Sequence, residues 1–136
     1  MAKQRISSEQ IGQAYAYGTV GGELVDGLKS LSLTDSLNVT TTSTTITAQI
    51  AGVYDIHAQQ LISTPATANY FCIRKNGATV YHSYTNGSLG TTDTTVDGMV
   101  QLAVGDYITI YNQNAITACW TGPHSSFSMF LVKRTS

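Results

Sequence analysis

Short runs in which apolar and polar residues alternate cover most of the chain from Leu28 onward. In the run from Val53 to Ser63 the alternation is regular as far as Ala58, and it returns between Tyr107 and Tyr111. A period of two residues is typical of a strand that buries one face. Because no interval after Leu28 keeps a helical period, the pattern predicts an all-β domain.

Glycine, asparagine and proline residues separate these runs. Asn76 followed by Gly77 is the strongest hairpin signal, since both residues adopt a positive φ at low cost. Gly105 with Asp106 predicts a second tight turn, and Pro65 closes a strand into a loop. Between such turns lie roughly eight to ten short strands, a number typical of jelly rolls and related double-sheet folds.

The first 28 residues have a different pattern. Ser7 and Gln10 form a capping box, which predicts a short helix that runs through Tyr15 and ends at the glycines beyond it. This segment has too few apolar side chains for a core of its own, so it is either disordered or ordered against another molecule. We therefore divide the chain into an N-terminal arm, residues 1–28, and a folded domain, residues 29–136.

Charged residues are scarce along the chain. Of its 136 residues 42% are hydrophobic and 11% are charged, and the net charge is −1. The few basic residues do not suffice for nucleic-acid binding through phosphate contacts or for a polybasic membrane anchor. No stretch approaches the roughly 20 apolar residues of a membrane span, and the polar N-terminus lacks the apolar core of a secretory signal. We expect neither a nucleic acid nor a membrane as partner.

The residues that carry most enzymatic and metal chemistry are few and scattered. The chain has no glycine-rich phosphate loop, no Gly-x-Ser-x-Gly elbow and no paired cysteines of a zinc site. Asp55 and His57 share one face of a strand, where an ion pair is a surface feature. Asp93 and Asp97 are conceivable calcium ligands, but a solvated loop is the simpler interpretation. We expect no catalytic residue, no cofactor and no metal.

The histidines and cysteines are explained as structural residues of the strands. The three histidines lie far apart in sequence and are interpreted as solvated or hydrogen-bonded strand residues: His57, His82 and His124. Cys72 and Cys119 lie in predicted strands, where a buried thiol acts as a small hydrophobic side chain. A single bridge between the two cysteines is the alternative that the sequence leaves open.

Aromatic residues are the more informative group, with eight Tyr, three Phe and one Trp. Tyrosine buries its ring while its hydroxyl finds a partner, so it suits subunit interfaces. Packing in the core and at sheet edges is the plainer interpretation and accounts for most of these side chains. Low charge together with many tyrosines favours a chain that buries flat surfaces against copies of itself.

Four segments carry a family likeness: Gly52–Ile56, Ile73–Gly77, Val100–Ile108 and Ser126–Leu131. The first is similar to a Gly-x-Tyr-x-aromatic strand, the second to a strand that ends in a charged residue and Asn-Gly. The third is similar to Leu-x-x-Gly-Asp-x-Val, and the last to Ser-Phe-Ser-Gly-Phe-Leu, with Met129 at the glycine. In this order, over about three fifths of the chain, they resemble the globular head of complement C1q, one of the tumour-necrosis-factor-like jelly rolls.

This resemblance implies a ten-stranded jelly-roll sandwich that forms a homotrimer about a threefold axis, where flat apolar and aromatic faces meet. It does not imply catalysis. The chain departs from complement proteins because a short arm stands in place of a collagen-like stalk. The candidate residues of the trimer interface are Tyr54, Tyr107, Tyr111, Phe127 and Phe130.

A threonine-rich trimer with a polar arm, made in the host cytoplasm, resembles small structural proteins of phages and other viruses. We expect a virion protein that decorates the capsid as a cement protein. Its three arms would add their affinities for the major capsid protein or another virion component. The arm residues expected to face the shell are Gln4, Arg5, Ile6, Ile11, Tyr15 and Tyr17.

A second function is compatible with the same domain. A trimeric knob at the tip of a phage tail or head fibre would present its outer loops to a receptor or a glycan. These loops are Thr64–Asn69, Tyr84–Asp93 and Asn112–Ala118. Tyr84, Asn86 and Trp120 are the candidates to contact a sugar, although Trp120 is as well explained as a core residue. An enzyme receives little support because ionisable groups do not cluster.

Overall fold

The computed structural model describes residues 13–23, 27–62, 69–85, 92–113, 119–120 and 125–135. In these ranges the regular elements are strands, which confirms the all-β prediction, and no helix there is long and apolar enough to cross a membrane. Ten of the described strands have three residues or more, and one has two. They are β1 (Tyr15–Glu23), β2 (Lys29–Leu37), β3 (Val39–Thr41), β4 (Ile46–Ala48), β5 (Gly52–Ile62), β6 (Asn69–Lys75), β7 (Ala78–Thr85), β8 (Thr92–Leu102), β9 (Tyr107–Asn112), β10 (Cys119–Trp120) and β11 (Ser126–Arg134).

The strands form two antiparallel sheets. Sheet I has the order β10-β5-β11-β1-β2, and β8 pairs with β5 along its whole length. Sheet II has the order β3-β4-β9-β6-β7. The two sheets enclose one core between them, which is the two-layer arrangement of a β-sandwich.

Alternation along the strands places every second side chain in this core. On β5, Tyr54, Ile56 and Ala58 are fully buried, and on β9 Ile108 and Ile110 are fully buried. The intervening residues of both strands point away from the opposite sheet, because successive side chains of a strand lie on opposite faces. The pattern read from the sequence therefore identifies the core face of both strands correctly.

Tight turns at one end of the sandwich fix how the strands pair. Asn76 and Gly77 have φ values of 52° and 84°, so the predicted hairpin between β6 and β7 is confirmed. The Asn76 side chain also spans two turns: its amide nitrogen donates to Asp106 Oδ1 at 2.9 Å, and its oxygen accepts the Tyr107 N–H at 2.9 Å. The β6–β7 and β8–β9 turns are thus joined to each other.

The N-terminal arm predicted for residues 1–28 is corrected by the structure. Tyr15–Glu23 is a strand of sheet I, held between β11 and β2, so the helix expected through Tyr15 is wrong. Ala14, Ala16 and Val20 are buried in the core, and this burial favours an extended strand over a helix. The sandwich begins at Tyr15 rather than at Lys29, and residues 1–12 lie outside the described part of the chain.

The two ends of the sandwich differ. At the turn end, the chain enters at Gln13 and leaves at Thr135 beside the tight turns. The Asn38 side chain donates to the Gln13 carbonyl at 2.7 Å, and the Thr135 N–H donates to the Ala51 carbonyl at 3.0 Å. At the loop end, the strands that flank four of the connections have their ends close to one another. These connections are β1–β2, β5–β6, β7–β8 and β9–β10.

Candidate functional site

Three aromatic rings stack on one another on the outer face of sheet I. The ring centroids of Tyr15 and Tyr17 are 6.0 Å apart, those of Tyr15 and Phe130 6.0 Å, and those of Tyr17 and Phe130 6.3 Å. Phe130 is 45% exposed and Tyr17 38%. We call these three residues the aromatic face. Their neighbours in sequence, Ala16 and Met129, are buried, so strand alternation sends the rings outward.

The register of sheet I extends this surface across the strands. Phe130 lies opposite Tyr15 on one side and opposite Asp55 on the other, and Asp55 lies opposite Met99. Met99 is 52% exposed. This cross-strand row of four residues therefore contains one carboxylate among apolar side chains. Large contiguous apolar surfaces are rarely left exposed to water by soluble monomeric proteins.

A hydrogen bond orients one ring of the aromatic face. The Tyr15 hydroxyl donates to Asp35 Oδ2 at 3.0 Å. This bond, followed by desolvation and the carboxylate's charge, raises the pKa of the Tyr15 phenol above its ordinary value. The phenol is protonated at neutral pH and donates this bond, which orients the Tyr15 ring beside Phe130.

The neighbouring row carries an ion pair instead of rings. His57 Nδ1 lies 3.8 Å from Asp97 Oδ2, with 40% and 67% of the two side chains exposed. The pair predicted between Asp55 and His57 is thus replaced by one across strands, because His57 lies opposite Asp97 in the register. An exposed pair of this kind contributes little stability. Over the described residues, no three His, Cys, Asp or Glu side chains group as metal ligands do.

A second apolar surface lies where β7 and β8 form one edge of the sandwich. It consists of Val80, Tyr81 and Met99, which are 41%, 37% and 52% exposed and line one shallow depression; we call it the edge patch. The Tyr81 hydroxyl donates to the Met99 carbonyl at 2.8 Å. The Tyr81 ring lies against Gly98 so closely that a Cβ there would clash with it, so glycine allows this edge to close.

The interface candidates from the sequence lie in three different places. Tyr54 and Phe127 are core residues, 0% and 2% exposed, and have no surface to offer another subunit; this corrects the expectation for both. Burial raises the pKa of the Tyr54 phenol, whose hydroxyl donates to the Ile50 carbonyl at 2.7 Å. Phe130 belongs to the aromatic face, and Tyr107 and Tyr111 lie on the outer face of sheet II.

The residues expected to contact a viral shell are divided as well. Tyr15 and Tyr17 belong to the aromatic face and not to a separate arm. The other four candidates lie outside the described residues: Gln4, Arg5, Ile6 and Ile11. The alternation of Ala14 and Ala16 with the two tyrosines was the sequence signal for a strand here, and the capping box obscured it.

Buried amides occupy the loop end of the sandwich interior. Gln60 Nε2 and Asn69 Nδ2 both donate to Asn112 Oδ1, at 2.9 and 2.8 Å, and Asn112 Nδ2 donates to Gln60 Oε1 at 3.2 Å. All three residues are 0% exposed. This network joins the ends of β5, β6 and β9, so it fixes the base from which two of the connections extend, β5–β6 and β9–β10.

Cys72 is a free, buried thiol, which confirms the interpretation favoured for it. Its Sγ lies 3.5 Å from the Tyr70 carbonyl, to which it donates, and burial raises the pKa of the thiol. The side chains of Cys119, Trp120 and His124 lie outside the described part of the chain.

The fold is similar to that of solved tumour-necrosis-factor-like jelly rolls. Crystal structures of murine APRIL at pH 8.5, 8.0 and 5.0 match with TM-scores of 0.71, 0.72 and 0.73. Each match has 11% sequence identity and covers 88% of this chain and 99% of the APRIL chain. No protein-family model and no curated protein matches the chain. The jelly-roll prediction is confirmed, and at this identity the likeness concerns the fold alone.

Proposed function

We propose that this chain is the subunit of a homotrimer that works by assembly and attachment, as a decoration protein of a virus capsid. The observation that carries the proposal is the aromatic face. Tyr15, Tyr17 and Phe130 form a stacked cluster on the outer face of antiparallel sheet I. Rings of this kind are typical of the buried centre of protein interfaces.

The edge patch supports a closed ring of subunits. Each subunit has an aromatic surface on the face of sheet I and a second apolar surface at the β7–β8 edge, and the two adjoin at Met99. Two different surfaces on one chain suit a heterologous interface, in which the edge of one subunit packs on the face of the next. Such an interface closes into a ring when the rotation is that of a cyclic group, and three is the number implied by the resemblance to C1q.

The arrangement of the two ends supports attachment through the N-terminus. The chain enters sheet I at the turn end, and four connections have their flanking strand ends at the opposite end. In a cyclic trimer, the three N-terminal segments therefore leave from the same end. Residues 1–12 are the part of the predicted arm that remains available for a capsid, and three such contacts act at high effective concentration.

Sedimentation of the full chain tests the assembly. We expect an assembly of three subunits of 14.5 kDa each at micromolar concentration, and also three subunits for a chain without residues 1–12. A subunit that stays monomeric at this concentration contradicts the proposal.

Shell binding tests the attachment separately. A chain without residues 1–12 retains β1, whereas a cut at residue 22 would remove it from sheet I. We expect the shorter chain to remain trimeric and to lose co-sedimentation with capsids that lack the protein. Full binding by this truncated trimer contradicts an N-terminal attachment segment.

A receptor- or glycan-binding knob is the second candidate, and the loop end favours it. The three loops named from the sequence have their flanking strand ends at this one end. Two of these loops adjoin Asn69 and Asn112 of the buried amide network. The loops themselves lie largely outside the described residues. Binding of the full-length trimer to a glycan array supports this function, and an array without signal counts against it.

A further inference from the structure

A pocket of about 390 Å³ lies on the outer face of sheet II, a volume typical of sites for small ligands. Its floor is Thr109, and its walls include Tyr107 and Tyr111, two residues away on the same strand. Arg74 lies directly opposite Thr109 on β6, and Thr45 lines the pocket beside β4. The aromatic face lies on sheet I, so this pocket is not part of the proposed interface.

An aromatic ring and a hydroxyl hold the Arg74 guanidinium in position. Its Cζ atom lies 3.6 Å from the centroid of the Tyr111 ring, and its Nε donates to Thr79 Oγ1 at 3.4 Å. The ion pairs of the described residues join His57 to Asp97 and Lys75 to Asp106, so no described carboxylate pairs with Arg74. A stacked guanidinium presents a planar fork of donors that matches a carboxylate.

The floor of the pocket provides an independent observation. Thr109 is 4% exposed, and its Oγ1 is buried without a hydrogen-bond partner among the described residues. Nearly all buried hydroxyls in folded proteins have a partner. The oxygen is closed off from solvent as the side chain stands, so a ligand in the pocket satisfies it only when the Thr109 side chain rotates toward the pocket.

We propose that this pocket binds a sugar that carries one carboxylate. Arg74 takes the carboxylate, because it is the single cation of the described lining, and one guanidinium matches one negative charge. The Thr45 hydroxyl, and the Thr109 hydroxyl once its side chain has rotated toward the pocket, bond to sugar hydroxyls. The Tyr107 ring packs against the sugar's carbon face. This site is independent of the proposed capsid role.

Titration of the isotopically labelled full chain with methyl glucuronide tests the site. We expect saturable binding, with changes in the NMR chemical shifts of residues on β6 and β9. The neutral methyl glucoside, which lacks the charge, and acetate, which lacks the hydroxyls, should both bind at least about tenfold more weakly. Arg74→Gln is expected to weaken binding by about tenfold. The matched control Arg134→Gln alters an exposed arginine at the end of β11 and should leave binding unchanged.

A second variant separates recognition from folding. Thr109→Val keeps the shape of the floor and removes the hydroxyl, so we expect weaker glucuronide binding with unchanged or higher thermal stability. The proposal is overturned if glucuronide does not bind, if the shifts lie away from sheet II, or if acetate binds as tightly. Unchanged affinity in Arg74→Gln overturns it as well.

Discussion

On the outer face of sheet I, Tyr15 and Tyr17 stack against Phe130, whereas on the outer face of sheet II Tyr111 lies beneath the guanidinium of Arg74. Both surfaces present tyrosines from alternating strand positions. On sheet I the two tyrosines are neighbours of a third ring, that of Phe130. On sheet II a buried threonine lies between the tyrosines of β9.

The difference shows that cross-strand neighbours, and not residue type, decide what a surface tyrosine does. Rings that stack only on rings leave a flat apolar surface, which another subunit can bury. Rings that flank a threonine and hold an arginine form a concave site with polar atoms inside. The same composition therefore yields an exposed aromatic surface on one sheet and a pocket on the other.

The largest expected effect comes from a charge placed on the aromatic face. Phe130→Asp should destabilise the subunit interface by about 3 kcal/mol, about a hundredfold in the dissociation constant. The cause is an unpaired carboxylate at the centre of a buried surface. Sedimentation equilibrium measures the change in the dissociation constant. The control is Val104→Asp, which places the same charge at a residue that is 66% exposed in the β8–β9 turn. Equal effects of the two substitutions would place the interface elsewhere.

A matched pair of tyrosine substitutions compares the two faces directly. Tyr17→Ala should weaken assembly by about 1–2 kcal/mol and change the unfolding free energy of the subunit less. Tyr111→Ala should leave assembly unchanged and lower the unfolding free energy by about 1 kcal/mol, since it removes the cation–π contact. Sedimentation and urea unfolding of both variants provide the measurement. If Tyr111→Ala weakened assembly and Tyr17→Ala did not, the interface would lie on sheet II instead of sheet I.

The floor of the pocket predicts a stabilising substitution. Thr109→Val removes a buried hydroxyl that lacks a described partner, so the unfolding free energy should rise by about 1 kcal/mol. Thr95→Val, at an exposed position on β8 of sheet I, should change it by less than about 0.5 kcal/mol. Thermal unfolding of both variants without ligand checks the prediction. A loss of stability in Thr109→Val would mean that the hydroxyl is satisfied.

The smallest effect concerns acid stability at the turn end. Bonds from the Asn76 side chain and the Ala103 N–H hold the pKa of Asp106 below its ordinary value of 3.8. A lowered folded-state pKa means stability that is present at neutral pH and lost as the pH falls below about 4. Asp106→Asn should be slightly less stable than the wild type at pH 7, and the difference should shrink in acid. Urea unfolding at pH 7 and pH 3 measures it; a constant difference contradicts the linkage.

Most of the fold could be predicted from the sequence because strand signals are local. The Asn76–Gly77 turn needs only two residues with positive φ, and the alternation on β5 needs only neighbours along the chain. The N-terminal segment was assigned wrongly for the same reason. A local capping box suggested a helix, whereas the burial of Ala16 and Val20 against distant strands made Tyr15–Glu23 part of sheet I.

The candidate site was predicted only in part. The sequence predicts Phe130 as an interface residue and Tyr15 and Tyr17 as shell-facing residues. It does not bring the three together, because β1 and β11 lie at opposite ends of the chain. No sequence pattern indicates a role for Arg74 or Thr109. Nothing along the chain relates them, since they become neighbours only through the pairing of β6 with β9.

The sequence by itself determined that the chain forms short strands joined by tight turns, because alternation and turn preference depend on a few adjacent residues. Only the tertiary structure decided which tyrosines are core and which are surface. Tyr54 and Tyr15 both occupy alternating strand positions, but Tyr54 faces the opposite sheet and Tyr15 faces away from it. That choice depends on which face of each strand the rest of the molecule covers, and no local pattern contains this information.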